Sequence, residues 1–211
     1  MPTSVIPQHL SAPMRQLAAA GVIRHFPRRT RFITEGDAGT SVYVVLSGRV
    51  KAFTSDLDGK QFLFGTYDSG AILGEMALDG LARSASVEAL TNVCCSIVPI
   101  DVLRRLISED SAFTTELIMT LIRRSRNTTT STRRLALDTA YQRLVALLDG
   151  LAVEKDGVRF IDQALSQQAI GDRIGSSRDM VSKLFKELVK GEYLRYHRTG
   201  ITLLRPLPAR W

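Results

Sequence analysis

The chain has 211 residues, 45% of them apolar, and a formal net charge of +7. That length holds one large domain or two small ones with real cores, and no run reaches the uninterrupted apolar length of a membrane span. Two adjacent cysteines, Cys94 and Cys95, and three scattered histidines, His9, His25 and His197, give neither a disulfide framework nor metal-ligand spacing, so a structural metal and an iron–sulfur cluster are not expected.

The stretch from Met1 to Leu17 lacks a basic cluster followed by an apolar block, so it does not read as a secretory signal. Successive side chains of a strand face opposite ways, which places Cys94 and Cys95 poorly for bonding to each other. The reading is a reducing, cytoplasmic protein without membrane contact.

From Val22 to Pro99 short strand-like runs alternate with turn residues. Arg31–Thr34 precedes Glu35-Gly36-Asp37, Val42–Leu46 runs into Ser47-Gly48, and Val50–Thr54 follows. Asp56-Leu57-Asp58-Gly59 is a turn before Gln61–Tyr67, Asp68-Ser69-Gly70 is another, and Ser84–Ala89 and Cys94–Val98 complete the set. Strands at this spacing, joined by Gly/Asp turns, predict a β-sandwich or β-roll.

Within it, residues 74–87 read Gly-Glu-Met-Ala-Leu-Asp-Gly-Leu-Ala-Arg-Ser-Ala-Ser-Val. A carboxylate, Glu75, opens a helix-like turn, and a guanidinium, Arg83, and a hydroxyl, Ser84, stand just before a strand. A cyclic nucleotide needs these groups. Its phosphate takes a fork of N–H donors and free backbone N–H groups at a helix start, and its ribose 2′-hydroxyl takes an acceptor such as an ionised Glu. No second catalytic carboxylate, Ser/His pair or metal set accompanies Glu75, so no catalytic residues are expected and the chain does not read as an enzyme.

The periodicity then changes. Asp101 is placed to cap a short helix through Ile107, and from Ser111 there is no Gly or Pro until Gly150. Phe113, Leu117 and Leu121, with Ile118 and Ile122, make a helical apolar stripe that stops at Arg123. Residues 123–134 are fully polar, and a helix polar all round needs outside contacts. Apolar residues resume at Leu135, Leu137, Leu144, Leu147 and Leu148, with a hinge expected near Leu137–Asp138.

Leu165–Leu188 reads as two short helices broken at Gly175-Ser176-Ser177. Ser166 and Ser177 suit the two N-caps, Gly171 permits close approach of the second helix, and Gly175 suits a turn with positive φ. Val181, Leu184, Phe185 and Leu188 face inward, and Arg178, Asp179, Ser182, Lys183 and Lys186 share the outer face. Tyr193–Tyr196, the Arg198-Thr199-Gly200 turn and Ile201–Leu204 then form a hairpin. This is a winged helix-turn-helix, with base-reading chemistry near the start of its second helix and Gln168 and Ser177 placed for phosphates. Charge agrees: residues 1–103 carry 9 basic and 9 acidic side chains, 104–137 carry 7 and 3, 138–211 carry 12 and 9, and 173–211 alone carry 9 and 3. A basic C-terminal part beside a neutral N-terminal one is the asymmetry expected of a nucleic-acid-binding domain joined to a neutral partner domain.

On these motifs nearly the whole chain resembles the cyclic-AMP receptor protein and fumarate–nitrate regulator (CRP/FNR) family. The resemblance implies an α+β protein: a β-roll, double-stranded β-helix or jelly-roll-like sensor over 1–110, a long dimerisation helix over 111–137 and a winged helix-turn-helix domain over 138–211. It makes Gly74, Glu75, Arg83 and Ser84 the ribose- and phosphate-binding residues, with Met76 and Ala77 offering backbone N–H groups. A gap-free extension places Asn127 and Thr128 against the base, with Arg123 also lining the pocket. Arg178, Asp179 and Lys183 fall at the family's base-reading positions; Asp179 is one methylene shorter than the usual Glu, and Lys183 lacks the fork of Arg. Cyclic AMP is the expected effector, without a metal, with cyclic GMP, another molecule or none as the alternative within the family. The expected partners are double-stranded DNA, a second copy of the chain and, for an activator, RNA polymerase.

Overall fold

The computed structural model describes residues 6–56, 59, 61–155, 157–197 and 199–208. The chain divides into two compact units, one of residues 1–55 with 63–125, the other of residues 56–62 with 126–211.

In the first unit a short helix α1 (Ala12–Ala19) precedes eight strands: β1 (Val22–Phe26), β2 (Arg31–Ile33), β3 (Ser41–Ser47), β4 (Val50–Ser55), β5 (Gln61–Tyr67), β6 (Ile72–Leu73), β7 (Ser86–Ala89) and β8 (Val93–Pro99). They form two four-stranded sheets, ordered β1-β8-β3-β6 and β2-β7-β4-β5, every recorded pairing antiparallel. Helix α2 (Ile100–Glu109) follows, then α3 (Ser111–Leu137), of which residues 111–125 belong to this unit and 126–137 to the second.

Strand β3 shows why the sheets stack. Val42, Val44 and Leu46 join a cluster with Leu10, Met14 and Leu17 from α1 and its approach, Leu103 from α2, and Phe113 and Leu117 from α3. Val45, pointing the other way, joins Ile33, Val50, Ala52, Leu73 and Val87 between the sheets. A strand buried on both faces reads as an almost continuous apolar run, as Val42–Leu46 does. Cys94 and Cys95 part in the same manner, Cys94 into the helical cluster and Cys95 into the inter-sheet one, and both are free thiols. Burial pushes the Cys95 thiol up to about 12, so it stays protonated and inert at neutral pH.

One local reading needs correction. Asp101 does not cap α2: the helix starts at Ile100 with Pro99 before it and no side-chain cap, and Asp101 pairs instead with Arg104 at 2.9 Å. Proline suits that position because its missing N–H costs nothing at a helix start. Helix α1 was not anticipated, although Ser11 accepts from the Met14 N–H and Pro13 lies in the first turn, a recognisable start signal. The hairpin near the C-terminus is half of a larger sheet, described next.

The second unit has α4 (Ala140–Leu151), β9 (Val153–Lys155), β10 (Val158–Ile161), α5 (Gln167–Ile174), α6 (Arg178–Lys190), β11 (Leu194–Tyr196) and β12 (Ile201–Leu203). The sheet order is β11-β12-β10-β9, so the wing strands β11 and β12 are backed by a second hairpin. Thr139 and Gln142 form a reciprocal capping box that starts α4 two residues after α3 ends. Tyr141, Leu144, Leu148, Ile170, Ile174, Val181, Phe185 and Leu188 share one core with Leu194, Ile201 and Leu203. Ser166 and Ser177 cap α5 and α6 through the Ala169 and Met180 N–H groups. Gly175 ends α5 with φ +62°, and Gly171 sits where a Cβ would lie 2.8 Å from the Ser176 carbonyl oxygen. Of the turns read from the sequence, Arg198 of Arg198-Thr199-Gly200 and Leu57 and Asp58 of Asp56-Leu57-Asp58-Gly59 lie outside the described residues.

Candidate functional site

The sensor site is built on the segment between β6 and β7. Gly74 adopts φ +78° and starts a 3-10 turn over Glu75–Asp79. A side chain at Gly74 would do more than strain the backbone: its Cβ would fall 2.2 Å from Arg83 Nη1. That space is taken by the guanidinium. Arg83 is 8% exposed; its Nη1 donates to the Gly74 carbonyl at 2.9 Å and its Nη2 to the Ser41 carbonyl at 2.6 Å. The backbone of Arg83 is pinned too, its N–H donating to Asp37 O and its carbonyl accepting from the Gly36 N–H. With Nη2 also 3.5 Å from Ser41 Oγ, the two Nη groups spend part of the five-donor fork on orientation and leave the Nε–H and one Nη1 N–H without a protein acceptor among the described residues. Ser84 is exposed and its hydroxyl donates to Met76 Sδ at 3.1 Å, a weak acceptor that a phosphate oxygen would displace. The Ala77 N–H is already engaged by the Gly74 carbonyl within the 3-10 turn.

Glu75 is buried, and its Oε1 accepts from Arg124 Nη1 at 2.6 Å. Arg124 also donates through Nη2 to the Ile72 carbonyl at 2.6 Å and lies 4.8 Å over the Tyr67 ring. The structure therefore brings Arg124, not Arg123, to Glu75. Arg123 is exposed and donates to Thr120 Oγ1. Helical phase explains the difference: Arg124 continues the inward row of Phe113, Leu117 and Leu121, whereas Arg123 points about 100° away. That phase was available in the sequence. Asn127 and Thr128 are exposed on the polar run of α3.

On the second unit, Arg178, Asp179 and Lys183 are exposed on α6 and Ser182 is half-buried; Asp179 and Lys183 lie on the side opposite Val181, Phe185 and Leu188, and Arg178 opens the helix. Ser177 is spent on its cap, and Gln168 donates to Asp172 at 2.7 Å from the exposed side of α5. Lys186 and Lys190 extend the basic surface along α6.

Comparison with known proteins fits both halves. Residues 23–110 match the cyclic nucleotide-binding domain, and residues 142–206 match the Crp-like helix-turn-helix domain. The chain belongs to the CRP/FNR family. Among its relatives, the CRP-like cAMP-activated global transcriptional regulator of Mycobacterium tuberculosis is 26% identical over 204 residues, covering 94% of this chain and 89% of the relative. The cAMP-activated global transcriptional regulator CRP of Haemophilus influenzae is 28% identical over 188 residues, covering 86% and 83%. In structure, the c-di-GMP responsive global regulator CLP of Xanthomonas campestris superposes with a TM-score of 0.79 at 23% identity, covering 92% of this chain and 98% of that one. A CRP/FNR-family transcriptional regulator from Thermus thermophilus gives 0.70 at 25% identity, covering 87% and 94%. This CRP/FNR chain is a transcriptional regulator with a cyclic nucleotide-binding domain and a helix-turn-helix, and its family relatives are regulators rather than enzymes. No described helix is long and apolar enough to cross a membrane.

Proposed function

We propose that the chain is a cytoplasmic, homodimeric, sequence-specific DNA-binding regulator controlled allosterically by a cyclic mononucleotide, with cyclic AMP favoured. The observation that carries this reading is the Arg83 guanidinium, buried yet turned by two backbone carbonyls beside the Gly74–Asp79 turn. Arg83 and Ser84 take the cyclic phosphate, and the ribose 2′-hydroxyl goes to Glu75, which accepts from Arg124 at the same time. Asn127 and Thr128 offer donors and acceptors suited to a purine edge. The three segments 1–110, 111–137 and 138–211 act as sensor, dimerisation helix and DNA-reading domain. Arg178, Asp179, Ser182 and Lys183 read base edges, and Gln168 and Ser177 position the domain on phosphates.

The ligand acts only through its differential affinity for the DNA-competent state. Moving a dimer from 1:99 to 99:1 takes about 5.5 kcal/mol, which two ligands share. The experiment is a DNA-binding titration with and without cyclic AMP, with cyclic GMP in parallel. A ligand-dependent change in DNA affinity is expected; unchanged affinity with every cyclic nucleotide would remove the reading.

A second reading has an observation of its own. Arg124 brings a further guanidinium to the 3-10 turn, and two guanidinium groups suit a ligand with two phosphates. A cyclic dinucleotide such as c-di-GMP, to which the Xanthomonas regulator responds, belongs in the same titration as a separate arm.

A further inference from the structure

Helix α3 carries a seam whose charge is unusual. Ile118, Ile122, Ser125, Thr129, Thr132 and Ala136 recur at alternating steps of four and three residues, which puts them on one stripe of the helix. The stripe is open: Ile118 is 49% and Ile122 42% exposed, and the four residues after them are exposed as well. It starts apolar and becomes a row of hydroxyls.

In a parallel pair of such helices, the positions flanking the seam on one side meet those flanking it on the other, and they usually hold opposite charges. Here one flank holds Met119, Arg126 and Arg133, and the other holds Leu121, Thr128 and Leu135. From Leu117 to Leu137 there are five arginines and no acid. Arg124 is matched by Glu75. Among the described residues, Arg126 and Arg133 have no side-chain hydrogen bond and no ion pair. Two-fold symmetry would line four such guanidinium groups along a hydroxyl-rich cleft, with no carboxylate between Leu117 and Leu137 of either helix to face them.

We infer that the two α3 helices of the dimer hold small phosphate-bearing anions between them, bound by Arg126 and Arg133 with the hydroxyl of Thr132, and that assembly is linked to this binding. Guanidinium forks with Ser/Thr donors are the chemistry of phosphate recognition. The inference rests on the homodimer reading and concerns a place other than the Arg83 turn. A ligand bound only by the dimer tightens it by mass action.

The test is sedimentation equilibrium of the full chain at fixed ionic strength in chloride, inorganic phosphate or pyrophosphate, with no cyclic nucleotide present. Phosphate is expected to lower the dimer dissociation constant by about tenfold or more relative to chloride, pyrophosphate more strongly. The double variant Arg126→Gln/Arg133→Gln, changed only at exposed positions, is expected to dimerise equally in all three salts, with an unaltered melt as the check on its fold. Equal dimerisation of the wild type in chloride and phosphate overturns the anion site and leaves the homodimer standing. Tightening that persists in the double variant also overturns it. A chain that stays monomeric in every salt overturns the homodimer reading as well.

Discussion

At the residue scale, Arg83 and Glu75 occupy the same turn but differ in what the fold has left them. Arg83 is oriented by carbonyl oxygens, which cannot neutralise its charge, so an anion gains a full charge-assisted contact there. Glu75 already faces a guanidinium, so a ribose hydroxyl would join an existing pair rather than find a bare carboxylate. The two substitutions should therefore fail differently. Arg83→Leu is expected to abolish cyclic-nucleotide binding in calorimetry, with a modest change in melting, because it deletes the phosphate's cation. Glu75→Gln leaves Arg124 with its charge unmatched beside Tyr67, and it should cost stability, on the order of 1–3 kcal/mol, as well as weaken binding. Undiminished nucleotide binding by Arg83→Leu would show that the phosphate sits elsewhere.

At the element scale, the helix-turn-helix depends on how closely α6 follows α5. The Ser176 N–H donates to the Gly171 carbonyl at 2.9 Å, and there is no room for a Cβ at Gly171 against the Ser176 oxygen. Gly171→Val is expected to destabilise the second unit by about 1–3 kcal/mol through overpacking. DNA binding should fall while calorimetric nucleotide binding persists; an unchanged melt would mean that the turn absorbs the side chain. Elements of this kind were legible in the sequence. Apolar phase and serine caps marked α5 and α6, and Gly/Asp turns marked most of the roll. The hairpin of β9 and β10 was not, because three- and four-residue strands holding Glu154, Lys155 and Arg159 with exposed Val153 and Val158 show no clean alternation. Asp156-Gly157 was the available turn signal. Arg124 was missed for a different reason: the polar run hides which of its arginines continues the inward row, and only the phase from Phe113 and Leu117 separates it from Arg123. The pairing with Glu75 joins residues 49 apart in sequence, and no local pattern encodes it.

At the scale of the whole molecule, charge divides the labour. Residues 1–103 balance to zero, so the sensor half has little long-range attraction for a polyanion, while residues 173–211 hold 9 basic side chains against 3 acidic. DNA affinity should accordingly be set by the second unit and fall steeply with salt, because each neutralised phosphate releases counterions. The two kinds of cation on α6 can be told apart by that dependence. Lys186 is exposed a turn or two beyond the first residues of the helix, where a groove-inserted helix meets the backbone rather than base edges. Arg178 opens the helix, where base edges are reached. Lys186→Gln, present twice in the proposed dimer, should reduce the slope of log K against log salt by about 2 and weaken specific and non-specific DNA alike. Arg178→Gln should cost about 1–3 kcal/mol per half-site on the specific sequence and far less on random DNA, so that the ratio between the two collapses. Titrations of both variants on both DNAs across a salt series separate the roles, and equal losses for Arg178→Gln on specific and random sequences would remove it from the base-reading set.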